Sequence, residues 1–197
     1  MRRLIAPLIA TLTLAAPVAA HDGAHAPAPP REVALAEEPL ALPNLPVTDR
    51  HGMRGGFRDM VGGSSSVILS FSYTACESLC NVTNALLSVV DAGLEADPNA
   101  ELRIVTVAID ARRDTPEALD AEAEALSASP HWLWLTGGAR GTRPLLDLLR
   151  FPPAAIEDHD PVFLVGRPCR GRFTRIVGLP DPDRLIALAE AQPPCSG

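Results

Sequence analysis

Two cysteines four positions apart carry the most chemistry in this chain: Phe71-Ser-Tyr-Thr-Ala-Cys76-Glu-Ser-Leu-Cys80. If they lie on one helix, their Cα atoms are about 6 Å apart, within the range that a disulfide spans. The same two sulfurs, both deprotonated, could hold one soft metal ion. Near a helix N-terminus the free amide groups and the dipole favour a thiolate, while Glu77 beside Cys76 opposes it. The pair therefore reads as a redox switch, a metal clamp or both. An inert structural bridge is the bland alternative, weakened because so short a loop constrains the unfolded chain little.

The flanking pattern must position these sulfurs. Val67-Ile-Leu-Ser-Phe71 is a short apolar run of the kind that forms a buried strand. After it the period changes: Leu79, Val82, Leu86 and Val90 recur at helical spacing, and Asn81, Asn84, Ser88 and Asp91 fall opposite. Thr74 and Glu77 fit a capping box, which places the helix start near Thr74. Further on, Leu102–Ile109 is β-prone and ends at Asp110, a turn former. Thr115-Pro116 opens a helix running to about Ser127. Trp132–Leu135 is a short strand, and Arg143–Arg150 is a helix. Val162–Val165 and Arg172–Val177 form a hairpin, and Asp183–Ala191 is a last helix. Strands alternating with helices predict an α/β sheet covered on both faces, with Cys76 and Cys80 at the C-terminal end of a central strand, where such sheets bind ligands.

The chain has 197 residues and a net charge of −7. Arg2 and Arg3, an apolar stretch from Leu4 and the small residues Val18-Ala-Ala20 predict a signal peptide over 1–20, cleaved after Ala20. The location is then exported and oxidising, with a membrane anchor as the outcome if cleavage fails. Cleavage leaves 15 arginines against 24 acids, with no lysine at all. That excess of negative charge argues against nucleic acid as a partner. Residues 21–45 are rich in Pro and Ala and read as a flexible linker. His21 and His25 within it could bind Cu(II) or Zn(II), though a plain tail is the simpler reading. Cys169 and Cys195, in an oxidising compartment, are expected to form a disulfide pinning the tail, 193–197, to the hairpin.

Four pieces in order along Val47–Ala191 resemble the Sco/SenC family of thioredoxin-like copper chaperones. The Cys76–Cys80 run looks like the family's C-x3-C segment. Asp110-Ala-Arg-Arg-Asp-Thr-Pro116 is similar to its Asp-Pro-x-Arg-Asp-Thr-Pro. Trp134-Leu-Thr-Gly137 resembles its Leu-Thr-Gly, and Asp158-His159 its Asp-His. The resemblance implies a thioredoxin-like domain over 46–192, with a central mixed β-sheet flanked by helices and an N-terminal extension. It implies copper held by Cys76, Cys80 and His159. It also implies a copper-requiring partner, typically the dinuclear site of a cytochrome oxidase subunit, in the periplasm. His51 and His131 lack such context and read as loop residues.

There are departures. The family has proline after each cysteine, where Glu77 and Asn81 stand here. Pro161 lies near the position where thioredoxin-like folds carry a cis-proline, which favours the alternative function of a thiol–disulfide oxidoreductase. That enzyme would reduce a partner's cysteines and be recharged by a thiol reductant protein. Peroxide reduction is the weakest option, because Thr74 stands two residues before Cys76 and not three.

Overall fold

In the computed structural model the chain divides into two units, Met1–Arg31 and Glu32–Gly197. The described residues, 33–76, 79–97, 100–153 and 160–195, belong to the second. The expected signal peptide, Glu77 and His159 lie outside them, as do His21 and His25.

Strand β4 (Ser66–Ser72) is the centre, and all seven of its residues are buried. Its apolar residues alternate between two cores. Val67, Leu69 and Phe71 join one, with Phe57 and Val61 of helix α1 (Phe57–Val61) and Leu145 of α4 (Gly138–Leu148). Ile68 joins the other, with Leu87 and Val90 of α2 (Leu79–Ala96), Leu119 of α3 (Pro116–Ala125) and Leu185 of α5 (Pro182–Glu190). A strand packed on both faces needs no polar side, which is why it reads as a continuous apolar run.

Eight strands form one sheet in the order β1-β8-β7-β4-β5-β6-β2-β3. Strand β5 (Leu102–Ala108) runs parallel to β4 and to β6 (Trp132–Thr136), and the remaining pairings are antiparallel. The sheet is thus mixed and flanked by helices on both faces, as expected. The buried hydroxyls do not sit unpaired at its centre: Ser70 Oγ lies 2.9 Å from Thr106 Oγ1, which accepts the Trp132 indole N–H at 2.8 Å. The predicted hairpin is β7 (Val162–Arg167) and β8 (Arg172–Val177), closed through Gly171 at φ 59°, where glycine carries no steric penalty. Cys169 and Cys195 are joined there, with Cα atoms 5.8 Å apart. Thr115 caps α3, its hydroxyl accepting from the Ala118 amide. Strands β2 (Pro46–Asp49) and β3 (Arg54–Gly56) complete the far edge.

Three expectations are corrected. First, part of the stretch read as flexible linker is ordered: β1 (Ala34–Pro39) pairs along its whole length with β8, and Leu40 and Leu42 are buried. Arg175 reaches from β8 to Glu38 at 2.7 Å, an ion pair mostly shielded from solvent. A partner 137 residues away makes this strand, not local propensity. Second, α4 begins at Gly138, where Thr136 Oγ1 accepts the Gly138 amide, and holds Pro144 inside it.

Third, α2 turns a different face to the core. Its buried residues are Cys80, Thr83, Asn84, Leu87, Val90, Asp91 and Leu94, whereas Leu79, Val82 and Val89 are exposed. The polar residues decide this rotation. Asp91 accepts two hydrogen bonds of 2.7 Å from the amide and hydroxyl of Ser129, and Asn84 donates to Glu122 at 3.1 Å. These bonds hold α2 against α3 and the loop before β6, so two residues assigned to the solvent side are interior.

Candidate metal and redox centre

Chain leaving β4 turns at Thr74 and Ala75, passes Cys76, and enters α2 at Leu79. Cys76 and Cys80 are joined by a disulfide, their Cα atoms 5.7 Å apart, at the C-terminal end of the central strand. Cys80 is 4% exposed and Cys76 half-buried, so a reagent from solvent meets Cys76 first. The Cys80 amide donates to Cys76 Sγ at 3.2 Å. That sulfur meets one of the free amides in the first turn of the helix, the role given above to a capping side chain.

The described part of α2 begins at Leu79, Thr74 lies in the turn before it, and Glu77, the partner in the expected capping box, lies outside the described residues. The Thr74 amide and hydroxyl both donate to Asp114 Oδ1, at 2.9 and 3.0 Å. The other Asp114 oxygen accepts the Asp110 amide at 2.8 Å. One buried carboxylate therefore ties the loop before Cys76 to the turn after β5. Burial raises the Asp114 carboxyl above its ordinary value, and the hydrogen bonds from Thr74 and Asp110 oppose that rise. Asp110 is the turn former expected of it, accepting the Arg112 and Arg113 amides. Asp114 is the residue that reading the sequence missed. Its place in Asp114-Thr-Pro116, just ahead of a capped helix, is the signal that could have marked it.

Beneath the sulfurs lies an apolar floor: Phe71 and Phe151 pack with ring centroids 4.6 Å apart, and Tyr73 and Val162 are buried in the same core. Among the described residues no three His, Cys, Asp or Glu side chains converge as a metal site; His159 lies outside those residues. No cis peptide bond occurs among them, so the Asp160–Pro161 bond is not the cis-proline that favoured thiol–disulfide chemistry. His51 and His131 are loop residues, with His51 Nδ1 3.6 Å from Asp120.

The donor chemistry is that of a two-state site. Bridged, the sulfurs have no thiolate to offer a metal. After two-electron, two-proton reduction they are adjacent soft donors on a rigid support.

Comparison with curated protein sequences finds no match. Solved structures are similar in fold. Yeast Sco1 with copper bound superposes at a TM-score of 0.63 with 20% identity, covering 80% of this chain and 96% of its own. Bradyrhizobium japonicum ScoI with copper bound gives 0.60 with 19% identity, covering 77% and 98%. BsSco, described with a disulfide switch and as a member of the Sco family of cytochrome c oxidase assembly proteins, gives 0.61 with 21%, covering 78% and 95%. At these identities the likeness shows a shared thioredoxin-like fold. Residues 46–151 match the family model SCO1/SenC, which spans more than half of this sequence and both cysteines of the site, and the chain belongs to that family.

Proposed function

We propose that this protein carries copper in an exported compartment and delivers it to a copper-requiring partner, such as the dinuclear copper site of cytochrome c oxidase. The observation that carries the reading is the pair Cys76–Cys80, 5.7 Å apart at the end of the central strand in a SCO1/SenC chain. Two thiolates and one imidazole suit Cu(I) in low coordination and also hold Cu(II). His159 is the third ligand in this reading. It directly precedes Asp160, and β7 pairs antiparallel with β4, so the chain enters β7 at the cysteine end of the sheet.

Loading first requires the Cys76–Cys80 bridge to accept two electrons and two protons, supplied by a dithiol protein that becomes oxidised in turn. Copper then exchanges ligand by ligand onto the partner. Cys76, the more exposed sulfur, is the point of transfer, while Cys80 is held by the helix. Two formed disulfides support an oxidising location after removal of residues 1–20. Intact-mass analysis of the exported protein tests that removal, and a retained Met1 overturns it. Residues 46–192 are the functional domain in this reading. Among the described residues no helix is long and apolar enough to cross a membrane.

The experiment is copper stoichiometry with absorption spectroscopy on the reduced protein. One copper per chain is expected, with a thiolate-to-Cu(II) charge-transfer band that Cys76→Ser abolishes and a Cu(II) affinity that His159→Ala weakens. Undiminished copper binding in Cys80→Ser overturns the site. The bridged state favours a second reading, a thiol–disulfide reductase. In it the Cys76 thiolate attacks a partner disulfide, and Cys80 resolves the mixed disulfide and releases the partner as a dithiol. Exchange activity that persists under a copper chelator supports that reading, and no measurable exchange removes it.

A further inference from the structure

Beside the cysteine pair, at the C-terminal end of β5, is a groove of about 290 Å³ between the turn after that strand, α4 and the chain that follows α4. Ile109, Leu146 and Phe151 make its floor, and all three belong to the core against which Cys76 packs. Phe151 is the ring that packs on Phe71 beneath the sulfurs. Pro152 is exposed at the edge of the groove. The groove and the cysteine pair therefore share one apolar floor.

Its charge runs against that of the chain. The protein carries a net charge of −7, yet two guanidiniums, Arg112 and Arg143, line the groove beside one carboxylate. That carboxylate, Asp110, is turned to other groups: Oδ1 accepts the Arg112 and Arg113 amides, and Oδ2 lies 3.7 Å from Arg113 Nη1. Arg143 pairs with Asp147 one turn along α4, both more than half exposed, and solvent weakens such a pair. Among the described residues the exposed Arg112 guanidinium has no hydrogen bond or ion pair.

The volume falls just below the roughly 300–1,000 Å³ of small-molecule sites, which suits a side chain better than a whole cofactor. A partner that reaches Cys76 covers roughly 600 Å² of this surface even in a transient complex. We propose that the groove is the docking site of the partner that exchanges copper or disulfide with Cys76, and that it receives a partner segment in which an apolar side chain is flanked by carboxylates. The apolar side chain sits on Ile109, Leu146 and Phe151, and the carboxylates meet Arg112 and Arg143. This docking rests on the reading of Cys76–Cys80 as an exchange site.

NMR titration of the intact, disulfide-bonded protein with the peptide Ac-Glu-Leu-Glu-NH2 tests it. Saturable shifts at Ile109, Leu146 and Phe151 are expected, weakening as salt is added. Ac-Lys-Leu-Lys-NH2 and Ac-Glu-Gly-Glu-NH2 should each bind at least fivefold more weakly, by about the worth of an exposed ion pair or a lost apolar contact. Arg112→Glu changes an exposed side chain and keeps the amide that Asp110 accepts, and it should weaken the acidic peptide about fivefold. Absence of saturable shifts, equal binding of either control peptide, or an unchanged affinity in Arg112→Glu overturns the proposal. Binding of 4-methylpentanoate as tight as that of the peptide overturns it too, by giving the groove to a small carboxylate. A thiol peptide, Ac-Cys-Gly-Gly-Glu-Leu-Glu-NH2, links docking to the sulfurs: its thiolate attacks Cys76 Sγ, and Cys80 leaves as a thiolate that takes up the proton. The rate at which this peptide opens the bridge, divided by the rate with dithiothreitol, should fall about fivefold in Arg112→Glu. An unchanged ratio overturns the link. Copper stoichiometry of the reduced wild type tests the exchange reading separately, so a failure there is distinguishable from a failure of peptide binding.

Discussion

Two disulfides occupy opposite ends of the sheet and differ in almost every physical respect. Cys76–Cys80 closes a separation of 4 residues at the mouth of α2, half-buried over an aromatic floor. Cys169–Cys195 closes a separation of 26, with Cys169 exposed in the hairpin turn, and fastens the C-terminal tail. Loop-closure entropy gives the longer bridge roughly 3.5 kcal/mol and the shorter roughly 2 kcal/mol of constraint on the unfolded chain. The short bridge joins residues that the turn leading into α2 already brings near each other. One disulfide is therefore suited to holding the fold, and the other can open and close while the fold persists. Stability and chemistry are assigned to different cysteines, and substitutions can separate them.

The largest effect is expected from removing the long bridge. Cys169→Ser with Cys195→Ser should lower unfolding free energy by about 3.5 kcal/mol in urea titrations, with copper stoichiometry unchanged. A loss of copper in that variant would break the division between the two ends.

Asp114→Ala comes next, at about 3 kcal/mol, because three hydrogen bonds from Thr74 and Asp110 lose their acceptor. It should also loosen the loop before Cys76, seen as faster reduction of Cys76–Cys80 while Cys169–Cys195 is reduced at its former rate. The same residue sets a pH dependence. Burial raises its carboxyl above 3.8, so the folded state holds the proton more tightly than the unfolded chain does. That stabilising contribution is complete below 3.8 and is lost as pH rises through the folded-state value. The stability of the wild type relative to Asp114→Asn should therefore fall across that interval. A rise would mean that the three donors outweigh desolvation.

Opening the short bridge should cost less. Cys76→Ser with Cys80→Ser is expected to lower stability by about 2 kcal/mol or less while abolishing copper binding, measured on the same samples. The smallest effect belongs to the outer face of α2: Val82→Ser, at a residue 50% exposed, should change stability by no more than about 0.5 kcal/mol. A larger loss would return Val82 to the core face that helical periodicity first gave it.

Much of this could be read from residue order alone. Predominantly apolar runs such as Val67–Phe71 and Leu102–Ile109 read as strands in a sheet covered on both sides, because that environment suits a segment with little polar alternation. Thr115-Pro116 marked a helix start through local hydrogen bonding, and the spacing of Cys76 and Cys80 set their reach. These are short-range properties, complete within a few residues. Tertiary structure decided what depends on distant partners. Strand β1 exists because β8 offers it a hydrogen-bonding edge and Arg175 meets Glu38. The face that α2 buries is set by Ser129 and Glu122, 38 residues from Asp91 and Asn84. Thr74, read locally as a cap, gives its donors to Asp114, 40 residues further on. In each case a buried polar group had to find a partner, and folding, not sequence neighbourhood, supplied it.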